Sequence, residues 1–406
     1  MKKVVCILSD ALRYDYIRTH KLKFLKERIE RNNCFYAEKV IPSTGFCEII
    51  EFVTGKSTEQ HKMLTQVTAK PDWYNGNKNR YLSALNLIDS KVPFRKIPVL
   101  NRGYRLFLDK LLNLSNLSAS IKNVRYNIPL DLLPFLEPLE SKYEYDSFDF
   151  GGKDNLFVWM KEHNISYDLI DFVKHNKVRG SDTERMARLK NKISQKSLND
   201  FTLLYIGYGD RAHFLGTNSK EFVNVLQNYS MKLKEIFFLL QKQYPYSQLI
   251  LLGDHGMIDV DEYINVKSIL TRIFKESNLR YQKEYIYFID STMVRIWLRE
   301  KSLIEVIEKK LNDSLGDYIE SNHDMCNYLT KFKPQFGDII LLLKAGYAFF
   351  PDFYNAKKIK GMHGYSNRYA QQAGTFISIG SGIKPTYKES LKLSEVKNYI
   401  QDLWIN

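Results

Sequence analysis

The sequence predicts an α/β protein built on a mostly parallel, doubly wound sheet flanked by helices, with an inserted lid and a small α+β subdomain. Three observations carry this expectation. Val4–Leu8, Phe201–Ile206 and Gln248–Leu252 are short apolar runs without helical period, the pattern of parallel strands covered on both faces. Lys220–Gln241 separates the last two and places Phe222, Leu226, Tyr229, Leu233, Ile236, Phe237 and Leu240 at helical spacing, so strand, helix and strand form a crossover unit. Each run ends close to an aspartate, and in open sheets of this class chemistry gathers beyond the carboxyl ends of the strands.

The chain has 406 residues, enough for one large core and a smaller one. Hydrophobic residues make up 44%, charged residues 26% and aromatics 14%, which excludes a disordered chain. A formal net charge of +14 suits an anionic partner: nucleic acid, a membrane surface or a phosphorylated substrate. The charge is dispersed and no helix-turn-helix or RNA-recognition pattern accompanies it, so specific nucleic-acid binding is not expected. Cys6, Cys34, Cys47 and Cys326 show no paired spacing, so neither a disulfide framework nor a zinc finger is indicated and a reducing, cytoplasmic setting is the default. The apolar run at Val4–Leu8 is too short for a secretory core, and no segment reaches the roughly 18 apolar residues of a membrane span. The sequence holds no internal repeat.

Taken in order, the first strand delivers Asp10 to its end, where it suits either a metal ligand or a helix N-cap. Lys21–Asn33 is charged and helix-like. Ile41 to Gly55 then reads as a Pro-Ser-Thr-Gly turn followed by a buried helix from Phe46 to Val53 that stops at Gly55. That turn presents a hydroxyl or a thiol at a helix N-terminus, a position that favours anions. Residues 66–199 read as a partly inserted lid: Trp73, Tyr74, Tyr81, Phe94 and Tyr104, the basic stretch Arg95–Arg105, and Ile128–Leu139 broken by Pro129, Pro134 and Pro138. Within it Lys153–His163 reads as a helix, Ile165–Leu169 as a strand and Gly180–Leu198 as a solvated helix.

The strand Phe201–Ile206 leads into a glycine turn with Asp210 and His213, close enough in sequence to close on one cation. Gln248–Leu252 leads into Gly253-Asp254-His255-Gly256, an adjacent carboxylate and imidazole at a strand tip. Residues 261–344 read as the small α+β subdomain, and the catalytic α/β part comprises 1–65, 200–260 and 345–406. A last glycine-flanked histidine, His363, precedes the returning strand Gly374–Ile383. Together these turns supply Asp10, Asp210, His213, Asp254, His255 and His363. Mixed carboxylate and imidazole ligation suits Zn²⁺ first and Mn²⁺ second, rather than Ca²⁺ or Mg²⁺, and six ligands suffice for two cations, the usual clamp for displacement at phosphorus.

The ordered set Asp10, Ser43-Thr44-Gly45-Phe46-Cys47-Glu48 to Val53-Thr54-Gly55, Asp210 to His213, Asp254-His255-Gly256 and Gly361-Met362-His363-Gly364-Tyr365 resembles the alkaline phosphatase superfamily, in particular its type I phosphodiesterase/nucleotide pyrophosphatase branch. The resemblance implies an alkaline phosphatase-like fold. It also implies metal-dependent hydrolysis of a phosphodiester or nucleotide pyrophosphate through a covalent phospho-enzyme. By the same likeness Asp10, Asp254 and His255 hold one metal with the nucleophile, and Asp210, His213 and His363 hold the other. The family's nucleophile usually lies nine residues before the Thr of the closing Thr-Gly, a count that lands on Gly45 here. The adjacent Thr44 is the expected nucleophile, with Ser43 and Cys47 as alternatives. The family also usually places its second histidine four positions after the aspartate, against three from Asp210 to His213. A sulfatase is not expected, since its Cys/Ser-x-Pro-x-Arg sequence is absent from 43–48. Other readings are a phosphomonoesterase or phospho-group transferase acting on a glycan or lipid head group, or a noncatalytic basic binding protein.

Overall fold

The computed structural model describes residues 2–75, 127–173 and 180–405. The expected aromatics Tyr81, Phe94 and Tyr104 and the basic stretch Arg95–Arg105 lie outside the described residues. The chain divides into two compact units, one of Met1–Met63, Tyr143–Asp259 and Lys360–Asn406, the other of Leu64–Lys142 and Val260–Ile359.

The first unit is organised on a seven-stranded sheet. In chain order its strands are β1 (Lys3–Ser9), β2 (Cys34–Ile41), β3 (Tyr167–Ile170), β4 (Phe201–Ile206), β5 (Ser247–Leu252), β6 (Gly374–Gly380) and β7 (Thr386–Lys392). Their spatial order is β7-β2-β6-β5-β1-β4-β3, and every neighbouring pair is parallel except the two that involve β6. The α/β, mostly parallel architecture is thus as the apolar runs imply. Register fixes the site: Ser9 of β1 lies opposite Ile206 of β4, and Leu8 lies opposite Leu252 of β5. The three carboxyl ends are therefore level, and the residues that follow them emerge at one edge. Because β6 runs the other way, the loop that precedes it, with His363, reaches that same edge.

Helices α1 (Lys23–Glu30), α2 (Glu48–Thr54), α3 (Asp182–Ser194) and α4 (Lys220–Gln243) belong to this unit. The apolar stripe of α4, with Phe222, Leu226, Leu233, Ile236 and Leu240, joins the core made by Val5, Ile7, Leu204, Leu249 and Leu251. Helix α2 ends at Gly55 in the left-handed conformation, φ 67°, as the sequence indicates. Asp10 caps no helix, since the next one starts only at Tyr16. Among the described residues no helix is long and apolar enough to cross a membrane.

The residues read as a lid over 66–199 divide between the two units. Residues 143–173 and 180–199 belong to the sheet unit, because β3 adds to β4 in parallel and α3 packs on it through Met186, Leu189 and Ile193. The remainder of the lid and the expected subdomain share one core: Val67, Leu133 and Phe135 cluster with Ile286, Ile296 and Leu341. The fully buried Arg295 ties the two segments, pairing with Asp290 at 2.8 Å and donating to the Val67 carbonyl at 2.6 Å. A guanidinium buried without such partners would be strongly destabilising. Residues 345–359, expected in the catalytic part, also belong to this second unit through Tyr347–Phe349, which pairs with Glu262–Ile264.

Candidate metal centre

Asp10 leaves β1 on a tight turn. Its amide donates to the Ile206 carbonyl at 2.9 Å, and Ala11 follows in the left-handed region at φ 55°. That conformation is costly for a residue with a Cβ and marks a turn held by its surroundings. Asp254 leaves β5 and holds this turn, its Oδ1 accepting the amides of Ala11 at 3.2 Å and of His255 at 3.0 Å. Gly209, at the start of the Asp210 turn, brings that turn up to the first, where a Cβ would stand 2.3 Å from the Asp10 carbonyl oxygen.

The side chains then converge. His255 Nε2 lies 3.2 Å from Asp10 Oδ1 and 3.9 Å from Asp254 Oδ1. Asp10, Asp254 and His255 each offer one ligand atom within 4.8 Å of one another, and so do Glu48, His255 and His363. Asp210 Oδ1 pairs with His213 Nε2 at 3.0 Å. The His213 ring lies 5.4 Å from that of His363, which stacks on His255 at 4.0 Å. The first expected triad is thus assembled. Of the second, Asp210 and His213 stand together, while His363 lies against His255 and Glu48.

All three histidines share one hydrogen-bond pattern. Nδ1 of His213 faces the Gly361 carbonyl at 2.7 Å, Nδ1 of His255 that of Gly256 at 2.8 Å, and Nδ1 of His363 that of Gly45 at 2.9 Å. A carbonyl only accepts, so Nδ1 carries the proton in each ring and the neutral ring keeps its lone pair on Nε2. Such partners orient metal-ligating imidazoles. The remaining oxygen of Asp10 accepts the hydroxyl of Tyr205, whose backbone carbonyl receives Arg185 at 3.0 Å.

Electrostatics agree with a site made for positive charge. Burial opposes the charge of Asp10, yet His255 and Tyr205 outweigh it and hold the carboxyl at about 2. Burial pushes Asp254 up to about 7, against the pull of His255, and pushes Glu48 up to about 8. Burial and then His255 and His213 drive His363 well below the usual imidazole range, so it is neutral and ready to ligate. His255 is instead raised well above that range, because Asp254, Glu48 and Asp10 overcome its burial. Uncompensated carboxylates at this depth are costly, and a divalent cation relieves the cost that a proton otherwise meets. The donor set and its orientation therefore fit a divalent cation.

The hydroxyl-bearing turn is less direct. Thr44 is buried with its Oγ1 3.4 Å from Thr58 Oγ1, and Ser43 donates both its amide and its hydroxyl to Glu51 at 2.9 Å. Cys47 is buried at the start of α2. Gly45 admits no side chain, since a Cβ there would stand 2.6 Å from the Gly364 amide nitrogen. Two members of the site escaped sequence reasoning. Glu48 looks like an ordinary first-turn acid of α2, and Tyr205 like another apolar member of β4.

The type I phosphodiesterase/nucleotide pyrophosphatase model matches residues 143–366, more than half of the chain. The chain belongs to that family. By this membership it is a phosphoric ester hydrolase. No curated protein gave a match. Murine ectonucleotide pyrophosphatase/phosphodiesterase 5 superposes with a TM-score of 0.65 at 15% identity, covering 99% of this chain and 94% of the murine one. An inactive variant of the murine protein in complex with AMP gives 0.66 at 15% identity, with 99% and 95% covered. The human counterpart gives 0.65 at 14%, with 99% and 94% covered. At these identities the structural likeness speaks for the fold of the family, the one built here around a mostly parallel sheet.

Proposed function

We propose that the protein hydrolyses a phosphodiester or nucleotide pyrophosphate with two divalent cations, Zn²⁺ or Mn²⁺, held by Asp10, Asp254 and His255 on one side and by Asp210, His213 and His363 on the other. The single observation that supports this best is the set of three histidines whose Nδ1 atoms all face backbone carbonyls, which leaves Nε2 as the atom each ring offers to a cation that displaces its proton. Bound cations supply Lewis-acid stabilisation of the charge that builds on the phosphoryl oxygens. The AMP complex of the murine fold relative supports a nucleotide as substrate. The four cysteines are free thiols, which supports a reducing, cytoplasmic setting.

In the covalent route Thr44 Oγ1 attacks phosphorus and gives its proton to solvent, one alcohol or nucleotide group departs and takes up a proton, and water then cleaves the bond between threonine and phosphorus to release the other half as a phosphomonoester. Thr44 directly precedes Gly45, whose carbonyl anchors His363. A second reading, direct attack by water, is favoured by the packing that excludes a side chain at Gly45 and by the pairing of Thr44 with Thr58. The test is turnover of bis-p-nitrophenyl phosphate and of a dinucleotide pyrophosphate, with p-nitrophenyl phosphate as the monoester control. Chelation should abolish turnover and Zn²⁺ or Mn²⁺ should restore it; activity that survives exhaustive chelation sinks the reading. Loss of turnover in Thr44→Ala supports the covalent route, and retention supports direct attack.

A further inference from the structure

Glu48 stands apart from the other carboxylates of the first unit. It is 8% exposed, and its Oε1 is buried with no hydrogen-bond partner. The same oxygen lies 3.8 Å from His363 Nδ1, and Glu48 offers a ligand atom within 4.8 Å of those of His255 and His363. A buried carboxylate oxygen without a donor is expensive and rare. Helix α2 aims this one at two imidazoles whose orientations are fixed by Gly256 and Gly45. A cation held by either ring reaches that oxygen as a further ligand.

We propose that Glu48 is a further cation ligand, seated with His255 and His363, and that its charge biases the site toward singly charged phosphodiesters. The inference rests on the cation-dependent reading above. With Asp10, Asp210, Asp254 and Glu48 ionised, four negative charges balance two divalent cations. The occupied site then carries no net charge to hold the second negative charge of a phosphomonoester, and a diester loses nothing by comparison. Removing the Glu48 charge leaves the occupied site at +1, which favours the dianion.

The experiment uses the full chain stripped of metal, titrated with Zn²⁺ and Mn²⁺ by calorimetry and dialysed for metal content. Turnover of bis-p-nitrophenyl phosphate against p-nitrophenyl phosphate is measured on the reloaded protein. The wild type should take up two equivalents. Glu48→Gln, which keeps the shape and loses the charge, should weaken one equivalent by about 100-fold, at or above the upper end of what an outer partner costs. It should also lower the diester-to-monoester ratio of kcat/KM by about tenfold. Glu48→Asp keeps the charge and shortens the reach, so it should weaken binding and hold the ratio within about threefold, and it serves if the glutamine variant does not fold. Two equivalents bound by Glu48→Gln as tightly as by wild type, or by Glu48→Asp where that variant stands in, overturn the ligand assignment. An unchanged ratio in Glu48→Gln overturns the charge argument. A wild type that binds no cation fails the broader reading instead, and metal content alone tells the two failures apart.

Discussion

The two halves of the candidate centre are built differently. Asp10, Asp254 and His255 sit on turns that leave adjacent parallel strands in level register, and each turn is hydrogen-bonded to the other. Asp254 and His255 are deeply buried, with side-chain exposures of 7% and 5%. Asp210 and His213 sit instead on two short helical turns, Gly209–Arg211 and Ala212–Leu215, and the Asp210 side chain is 45% exposed. Groups fixed by sheet register cannot drift without disturbing the core, whereas a solvated carboxylate on a surface turn is screened and free to adjust. The first half should therefore behave as a rigid cation seat. The second should bind more weakly and depend more on solution conditions.

The largest effect should come from His255→Ala, which removes the imidazole shared by both ligand groups. Loss of one cation's stabilisation predicts a fall in kcat/KM of about 1000-fold, or about 4 kcal/mol. Retention of more than a tenth of the activity would show that the rigid half is not the chemical centre. Asp210→Asn should cost about 10- to 100-fold and should recover substantially when the cation is raised, as a weak seat requires; a loss as deep as that of His255→Ala and insensitive to added metal contradicts the contrast. Tyr205→Phe removes the hydroxyl donor to Asp10 and leaves the ring in place. Acting through Asp10, it should cost about tenfold in cation affinity, read by titration, and leave the thermal midpoint of the metal-free protein nearly unchanged.

The rigid half is also the half that can be read in the sequence, and for a physical reason. A buried parallel strand is a continuous apolar run, so the polar residue that ends it is conspicuous, as with Asp10 after Val4–Leu8 and Asp254 after Gln248–Leu252. Glu48 gives no such contrast, because an acid in the first turn of a helix is common for the helix dipole alone. Tyr205 is hidden inside the run that defines its own strand. The strand Tyr167–Ile170 was recognisable, but its place in the main sheet was not: four residues with a polar Asp168 carry no mark of their neighbour, and pairing with Phe201–Ile206 is a long-range fact. The union of Val67 with Ile296 in one core depends likewise on Arg295 reaching a carbonyl more than 200 positions away.

The smallest predicted effect separates the two acids of α2. Glu51 lies one turn after Glu48 and is as deeply buried, yet its two oxygens accept the amide and the hydroxyl of Ser43. Both its oxygens are partnered, whereas Glu48 Oε1 is not, so Glu51 should lock the 43–47 turn and take no cation. Burial raises its carboxyl from 4.5 to about 7, with the Ser43 hydrogen bonds pulling the other way. An acid whose folded value is raised binds its proton more tightly when folded, so its contribution is complete below pH 4.5 and is lost as pH rises through about 7. The shift corresponds to about 3 kcal/mol across that window. Urea unfolding of the metal-free protein between pH 4.5 and 8 should show wild-type stability falling with pH. Asp254 and Glu48 contribute slopes of the same sign, since both are also raised. Glu51→Gln should flatten the fall by the Glu51 share and leave cation affinity within about threefold of wild type, whereas Glu48→Gln should flatten it and weaken the cation as well. Parallel pH profiles for Glu51→Gln and wild type would remove the titration assigned to Glu51, and a cation loss in Glu51→Gln equal to that in Glu48→Gln would erase the distinction between an acid with both oxygens partnered and one with an unpartnered oxygen on the same helix.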